Sequence, residues 1–283
     1  MVETETSIDR LTVVGYDTGR IADYLKNSGY IVRQNFSQNY GFKHAYHCQS
    51  GELIEVGDKG IVRLDFNPNK ANMKQIVDVF SRLKYPHLTR LDIAIDYFGK
   101  NLSEIDWISV RRRKRNVWEG EDGALETLYI GAPSSHKRFR IYNKALERLE
   151  NGEESDPRAK KGHWRVEVQK RFKASDNILD PTEYFLNDLF DIRPSPKVLD
   201  ISHIEKFSER MIVAGLLERP HELNNADKKT RAKYKKLIAE AREKAPKVLE
   251  EEPHEVYEKE KSLLAHQLKD LFSKSHRLTA FAK

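Results

Sequence analysis

A chain of 283 residues carries 50 Lys and Arg against 44 Asp and Glu, a formal net charge of +6, so it can bury a sizeable core and suits a polyanionic partner. The single cysteine, Cys48, excludes an internal disulfide framework and fits a reducing compartment. No apolar run reaches the ~20 residues of a membrane-spanning helix, and the acidic start Met1-Val2-Glu3-Thr4-Glu5 is not signal-like, so we expect a cytoplasmic protein without membrane contact.

Leu11 to Tyr16 reads as a strand, Asp17-Thr18-Gly19 as the cap of a helix through Asn27, and Gly29 as its stop. Strand-like runs follow at Ile31 to Phe36, at Lys43 to Cys48 continued by Leu53 to Val56, and at Ile61 to Phe66. Asn67-Pro68-Asn69 then opens a helix in which Met73, Ile76, Val77, Phe80 and Leu83 recur near helical period, and Pro86 ends it. The order restarts at a strand from Leu88 to Tyr97. Leu102-Ser103 opens a helix through the basic run Arg111 to Arg115, and Thr127 to Ile130 pairs with Phe139 to Lys144 as a hairpin. Trp164 to Val168 is a further strand, and Asp180-Pro181 starts a helix carrying Tyr184, Phe185, Leu189 and Phe190.

This is β-α-β-β-β-α taken twice. Arg10-Leu11-Thr12 echoes Arg90-Leu91-Asp92, and Val62-Arg63-Leu64-Asp65-Phe66 echoes Trp164-Arg165-Val166-Glu167-Val168. The expected fold is α+β: a duplicated βαβββα giving one curved antiparallel sheet with helices on one face, the other face free for a ligand. After Ser195 the character changes. Ile201 to Leu217, Arg231 to Lys244 and Val256 to Lys274 read as helices, with Glu250-Glu251-Glu252-Pro253 as a connection, which divides the chain into domains at 1–195 and 196–283.

Side chains alternate along a strand, so Arg140, Tyr142 and Lys144 share a face, as do Asp92 with Asp96 and Arg165 with Glu167. If these strands are neighbours, the sheet carries a metal-binding phosphoryl-transfer site. Cleaving a phosphodiester requires a nucleophile, neutralisation of the non-bridging oxygens and a proton route. Tyr142 is the candidate nucleophile; a phenol of ordinary pKa about 10 needs a metal, a base or adjacent cations, and Arg140 and Lys144 would supply the cations. The covalent link it would form conserves the bond energy, so the strand can later be rejoined. Asp92, Asp96 and Glu167 are hard oxygen donors suited to Mg2+ or Mn2+. Two aspartates at i and i+4 on a strand lie ~13 Å apart, so one of them, Asp92 first, would act with Glu167.

Blander readings use the same residues: a half-buried sheet tyrosine, and carboxylates salt-bridged to Arg90, Arg140 or Arg165. A DNA-binding repressor or recognition module without catalysis, or a metal-dependent phosphodiesterase acting through water, would also fit. His44-Ala45-Tyr46-His47 is not an alternating His-x-His pair, and neither Gly15 nor Gly131 opens a phosphate loop.

Thr89 to Asp96, Tyr129-Ile130-Gly131 followed by Arg140-Ile141-Tyr142-Asn143-Lys144, and Trp164-Arg165-Val166-Glu167 together resemble the plasmid rolling-circle replication initiators of the staphylococcal type, the Rep_trans family. The resemblance spans roughly residues 8 to 275. It implies a nicking-closing enzyme whose tyrosine, Tyr142 here, cuts one strand at the double-strand origin, stays linked to the 5′ phosphate and leaves a 3′ hydroxyl for the DNA polymerase. Arg140, Lys144 and Arg165 would contact phosphate, and Asp92 or Asp96 with Glu167 would hold the metal. It further implies a homodimer, recruitment of a host superfamily-1 helicase, and origin reading through roughly residues 220 to 283.

Overall fold

The computed structural model describes residues 3–19, 21–28, 30–33, 42–48, 50–109, 111, 113–154, 156–173 and 186–279. The first half runs β1 (Glu3–Asp17), α1 (Ile21–Asn27), β2 (Ile31–Arg33), β3 (Phe42–His47), β4 (Leu53–Gly57), β5 (Ile61–Phe66) and α2 (Met73–Phe80). The second runs β6 (Leu83–Phe98), β7 (Ile105–Ser109), β8 (Arg115–Glu119), β9 (Leu125–Ile130), β10 (Lys137–Asn143), α3 (Lys144–Glu150), β11 (His163–Arg171) and β12 (Ile192–Pro196). Three helices close the chain: α4 (Phe207–Glu218), α5 (Lys228–Glu243) and α6 (Pro253–Thr279).

One antiparallel sheet takes ten strands in the order β2-β3-β4-β5-β1-β6-β11-β10-β9-β8. In each half the first strand pairs with the last, and the others step outward from there, so the duplication is written in the topology. The strand echo is positional as well: β5 and β11, which carry it, each lie beside the founding strand of their half. The founding strands are offset, however. Thr12 stands opposite Asp65 but Ala94 opposite Glu167, two residues from the Arg10/Arg90 echo. Register shifts along β1 and β6 mark bulges that bend these long central strands. Tyr85 and Pro86 are skipped in that pairing, which lets an interior strand accommodate a proline missing its N–H. Pro86 therefore sits inside β6 rather than ending a helix, and α2 stops at Phe80.

Alternate residues of the central strands, among them Ile93, Ile95, Val166, Val168, Phe139 and Ile141, are fully buried on one face. Helices α2 and α6 cover that face, with the Phe80 and Phe272 rings 5.4 Å apart edge to face. Helix α6 thus belongs to the main core, whereas α4 and α5 build a smaller core from Ile204, Val213, Leu216, Tyr234 and Ile238.

Three further expectations change. The described residues between Leu102 and Arg115 are not helical: β7 pairs with β12 in a separate two-stranded sheet, and Arg115 begins β8. Alternation in Ile105, Trp107 and the polar residues between them wins over the helix-like basic run, because Trp107 and Ile105 are buried. Lys144 is the first residue of α3 and not the last of a strand; the Asn143 side chain caps that helix by accepting from the Leu146 N–H at 3.1 Å. The helix expected from Asp180 falls largely outside the described residues, although Leu189 and Phe190 are buried in the main core without being helical.

Candidate nucleic-acid cleavage site

The second half presents its polar face as three rows of side chains crossing the strands. One row reads Trp118, Thr127, Tyr142, Arg165, Asp96 and Glu5. The next reads Asn116, Tyr129, Arg140, Glu167, Ala94 and Ser7, and the third Arg138, Gln169, Asp92 and Arg10. Strand alternation thus brings Tyr142, Arg140, Arg165, Glu167 and Asp92 to one cleft of about 490 Å³, with Lys144 on its α3 wall.

Guanidinium groups stack along this face. Arg138 lies 3.9 Å from the centre of the Tyr129 ring, and Arg140 lies 3.7 Å from that of Tyr142. Glu147, on the next turn of α3, binds both Lys144 and Arg140, the latter at 3.3 Å. The cations beside Tyr142 therefore have a carboxylate of their own. Burial pushes the Tyr142 phenol well above its ordinary pKa; Arg165 and Arg140 draw it down and Glu167 and Glu147 push it further up. In the folded chain burial, joined by Glu167 and Glu147, outweighs the pull of Arg165 and Arg140, so the free phenol is held in its protonated form.

The three carboxylates part company. Asp96 is 6% exposed and receives two bonds from Arg165, at 2.8 and 2.7 Å, and one from His163 at 2.9 Å. Burial pushes its pKa up, but the His163 and Arg165 bonds outweigh that and hold it below the ordinary value. Asp92, 1% exposed, is gripped by Arg90 through two bonds, while burial pushes its carboxyl up. Glu167 is pushed up to about 7, first by burial and then by Asp92 and Asp9. Among the described residues no hydrogen bond or ion pair holds its carboxylate.

No group of three or more His, Cys, Asp or Glu side chains among the described residues forms a ready-made metal cage. Magnesium does not require one: it commonly uses one or two carboxylates together with substrate phosphate oxygens and water. Glu167 fits that role, since its carboxylate has no hydrogen bond or ion pair among the described residues, and Asp92, which also lines the cleft, could join it only by giving up Arg90. Asp96 does not join them, being committed to Arg165 and His163.

Four participants escaped sequence reasoning: Asp9, which accepts from Arg165 at 2.7 Å; His163, stacked on Phe98 at 4.3 Å; Glu147; and Tyr129. Asp9 reaches this face at the register shift between Ile8 and Arg10, a bulge that leaves no mark in the alternation of the sequence. Glu147 follows from Asn143-Lys144-Ala145-Leu146 read as a capped helix start, a signal that was present.

No family model matches the chain. A replication initiation protein of Staphylococcus aureus is 32% identical to it over 252 residues, which is 84% of this chain and 76% of that protein. A second from the same species is 27% identical over 256 residues, 84% of this chain and 77% of that one. The solved structure of a rolling circle replication initiator protein from Geobacillus stearothermophilus aligns with a TM-score of 0.41 at 18% identity, covering 62% of this chain and 77% of that chain. The length and identity of the first match are decisive, and the chain belongs to the family of these staphylococcal replication initiation proteins.

Proposed function

We propose that this initiator binds the double-strand origin of a plasmid and nicks one strand for rolling-circle replication, with Tyr142 as the nucleophile. The observation that carries the reading is the convergence of Tyr142, Arg140, Arg165, Glu167 and Asp92 on one face across three adjacent strands. In the reaction the Tyr142 Oη attacks the scissile phosphorus and gives its proton to water, while the P–O3′ bond breaks and the leaving 3′ oxygen takes up a proton from water. The products are a 5′-phosphotyrosine link and a 3′ hydroxyl that DNA polymerase extends. Reversal of the same exchange religates the strand.

Arg165 and Arg140 hold the phosphate beside the phenol, and Lys144 reaches it when its bond to Glu147 opens. Glu167 and Asp92 would hold Mg2+ or Mn2+, Asp92 by releasing Arg90. That ion, when bound, neutralises non-bridging oxygen charge and eases loss of the phenol proton. Arg165 is itself fixed by Asp96 and Asp9, which take an N–H from each of its three nitrogens and leave the second N–H of each terminal nitrogen for phosphate.

The division into a nicking region, 1–195, and an origin-reading and dimerising region, 196–283, belongs to the same proposal, with α6 packed on the sheet of the nicking region and only α4 and α5 on a core of their own. Helix α5 exposes Lys228, Lys229, Lys235, Lys236 and Arg242, a basic surface suited to duplex phosphates, on the separate small core of α4 and α5. A homodimer and a host superfamily-1 helicase complete the scheme. No helix of the described residues is long and apolar enough to cross a membrane, in keeping with action in the cytoplasm.

A second reading, attack by water, is favoured by one observation: Glu167 lines the cleft beside Tyr142 and Arg165, and burial raises its carboxyl to about 7, which suits a general base. Incubation with supercoiled origin plasmid and magnesium, a denaturing gel and mass spectrometry of nucleotide-bearing peptides separate the readings. A nucleotide on Tyr142 supports the proposal. Nicking without adduct favours water, and origin binding without nicking leaves a recognition module.

A further inference from the structure

Trp118 heads the row that contains Tyr142, and nothing in the nicking scheme uses it. It lies on β8 at the outer edge of the sheet, 64% exposed. Its pairing partner is Thr127, whose other partner is Tyr142, so the indole and the phenol leave the same face two strands apart. Two strand spacings amount to about 10 Å. Thr127, between them, is too small to close the gap.

The other aromatics of this face are occupied: Tyr129 carries the Arg138 guanidinium at 3.9 Å and Tyr142 carries that of Arg140 at 3.7 Å. Among the described residues Trp118 makes no ring or cation contact. An indole half in water, unused by any neighbour, lacks a flat partner. The cations of the cleft around Tyr142, Arg138, Arg140 and Arg165, favour a polyanion.

We infer that Trp118 is a stacking platform for an unpaired base next to the phosphate presented to Tyr142, a positioning residue for single-stranded DNA. The inference rests on the proposed nicking reaction for its biological role. Its physical claim is narrower: the face from Trp118 to Tyr142 binds single strands by stacking as well as by charge. Sequence tolerance follows, since every base offers a π face.

The protein supplies its own probe. Trp107 and Trp164 are 0% and 3% exposed, so Trp118 is the tryptophan that a bound strand can reach. Titrating the full chain with a short oligothymidylate should quench its intrinsic fluorescence. Followed by the anisotropy of a fluorescently labelled oligothymidylate, Trp118→Ala should weaken that binding roughly 5- to 100-fold, with Trp118→Phe retaining most of the affinity and both variants keeping the wild-type unfolding midpoint. Wild-type affinity in Trp118→Ala, or no binding of oligothymidylate by the wild type, overturns the inference. A change of oligomeric state at unchanged affinity in Trp118→Ala also overturns it, by assigning the β8 edge to a second copy. Tyr142→Phe keeps the two claims apart: quenching that persists in it, with no adduct in the wild type, sinks the nicking reading and leaves the platform standing.

Discussion

The two halves of the sheet share a topology and put it to opposite use. In the first half the polar face is closed upon itself. Asp65 accepts from Arg10 at 2.6 and 3.0 Å, from Arg63 at 2.5 Å and from Thr12 at 3.2 Å, and Arg63 also holds Glu55. In the second half Glu167 occupies the place of Asp65 and has no such partners, while Tyr142 stands across from Arg165 as Glu55 stands across from Arg63. A saturated ion-pair network stabilises a fold, and an unsaturated one leaves charge needs that a ligand can meet. Duplication allows one copy to serve as scaffold while the other holds groups that the folded chain by itself leaves unsatisfied.

The largest expected effect tests that division directly. Tyr142→Phe should lower plasmid nicking by on the order of 10³-fold or more while leaving origin binding unchanged in a gel-shift assay. Glu55→Gln, at the matching position of the first half, should leave nicking per folded molecule unchanged. Equal loss in both variants would mean that the halves work as one site and that the comparison is false.

Next comes Asp65→Asn, which leaves Arg10 and Arg63 facing each other with a weaker acceptor. We expect a loss of about 2–3 kcal/mol in chemical denaturation, below the range for a fully buried pair because both arginines are partly exposed. Nicking per folded molecule should persist. An Asp65→Asn protein that is stable but inactive would place the first half in the chemistry.

Much of this division was legible in the sequence because it rests on strand alternation. Tyr142, Arg140, Arg165, Glu167 and Asp92 each follow from period two, and the Arg63/Arg165 echo located β5 and β11, the equivalent strands of the two halves. The family resemblance, carried by the Tyr129-Ile130-Gly131 and Ile141-Tyr142-Asn143-Lys144 segments, is likewise met by the staphylococcal relatives. What escaped depends on register and on partners distant in sequence. Asp96 reads like Asp92, yet its register neighbour is Arg165 and its second partner is His163, 67 residues away. The state of the phenol was invisible too, since cations adjacent in sequence say nothing of Glu147 returning on a helix turn or of burial. The strand β7 was lost because its partner β12 lies far along the chain and only that pairing makes it a strand.

Glu167→Gln sharpens the comparison at the level of charge. A carboxyl raised to about 7 keeps its proton in the folded chain where the unfolded chain has lost it, so wild-type stability falls as pH rises from the ordinary carboxylate range through about 7. The variant lacks that penalty. It should be more stable than wild type by roughly 1–2 kcal/mol near pH 8 and indistinguishable near pH 4. Magnesium should raise the wild-type unfolding temperature near pH 8 and leave that of the variant unmoved. A wild type indifferent to magnesium, with no gain in the variant, would remove both the strained carboxylate and its metal.

The smallest effect concerns the point where the halves touch above the cleft. Lys70, in the loop between β5 and α2, reaches Glu153, beyond α3, at 3.1 Å across the cleft mouth. The Lys70 hydrogen bond and charge draw the Glu153 carboxyl below its ordinary pKa, so what the pair contributes is present above the ordinary carboxylate pKa and fades as pH falls through the lowered one. Both side chains are well exposed, and Lys70→Ala should change stability by less than about 1 kcal/mol, less still in high salt. Lys70 also lines the cleft from the scaffold half, where its charge would meet a DNA phosphate once Glu153 lets go. The variant should therefore bind oligothymidylate with a shallower salt dependence than wild type, by about one released counterion. A salt slope identical to that of wild type would confine DNA to the second half and make the scaffold role of the first complete.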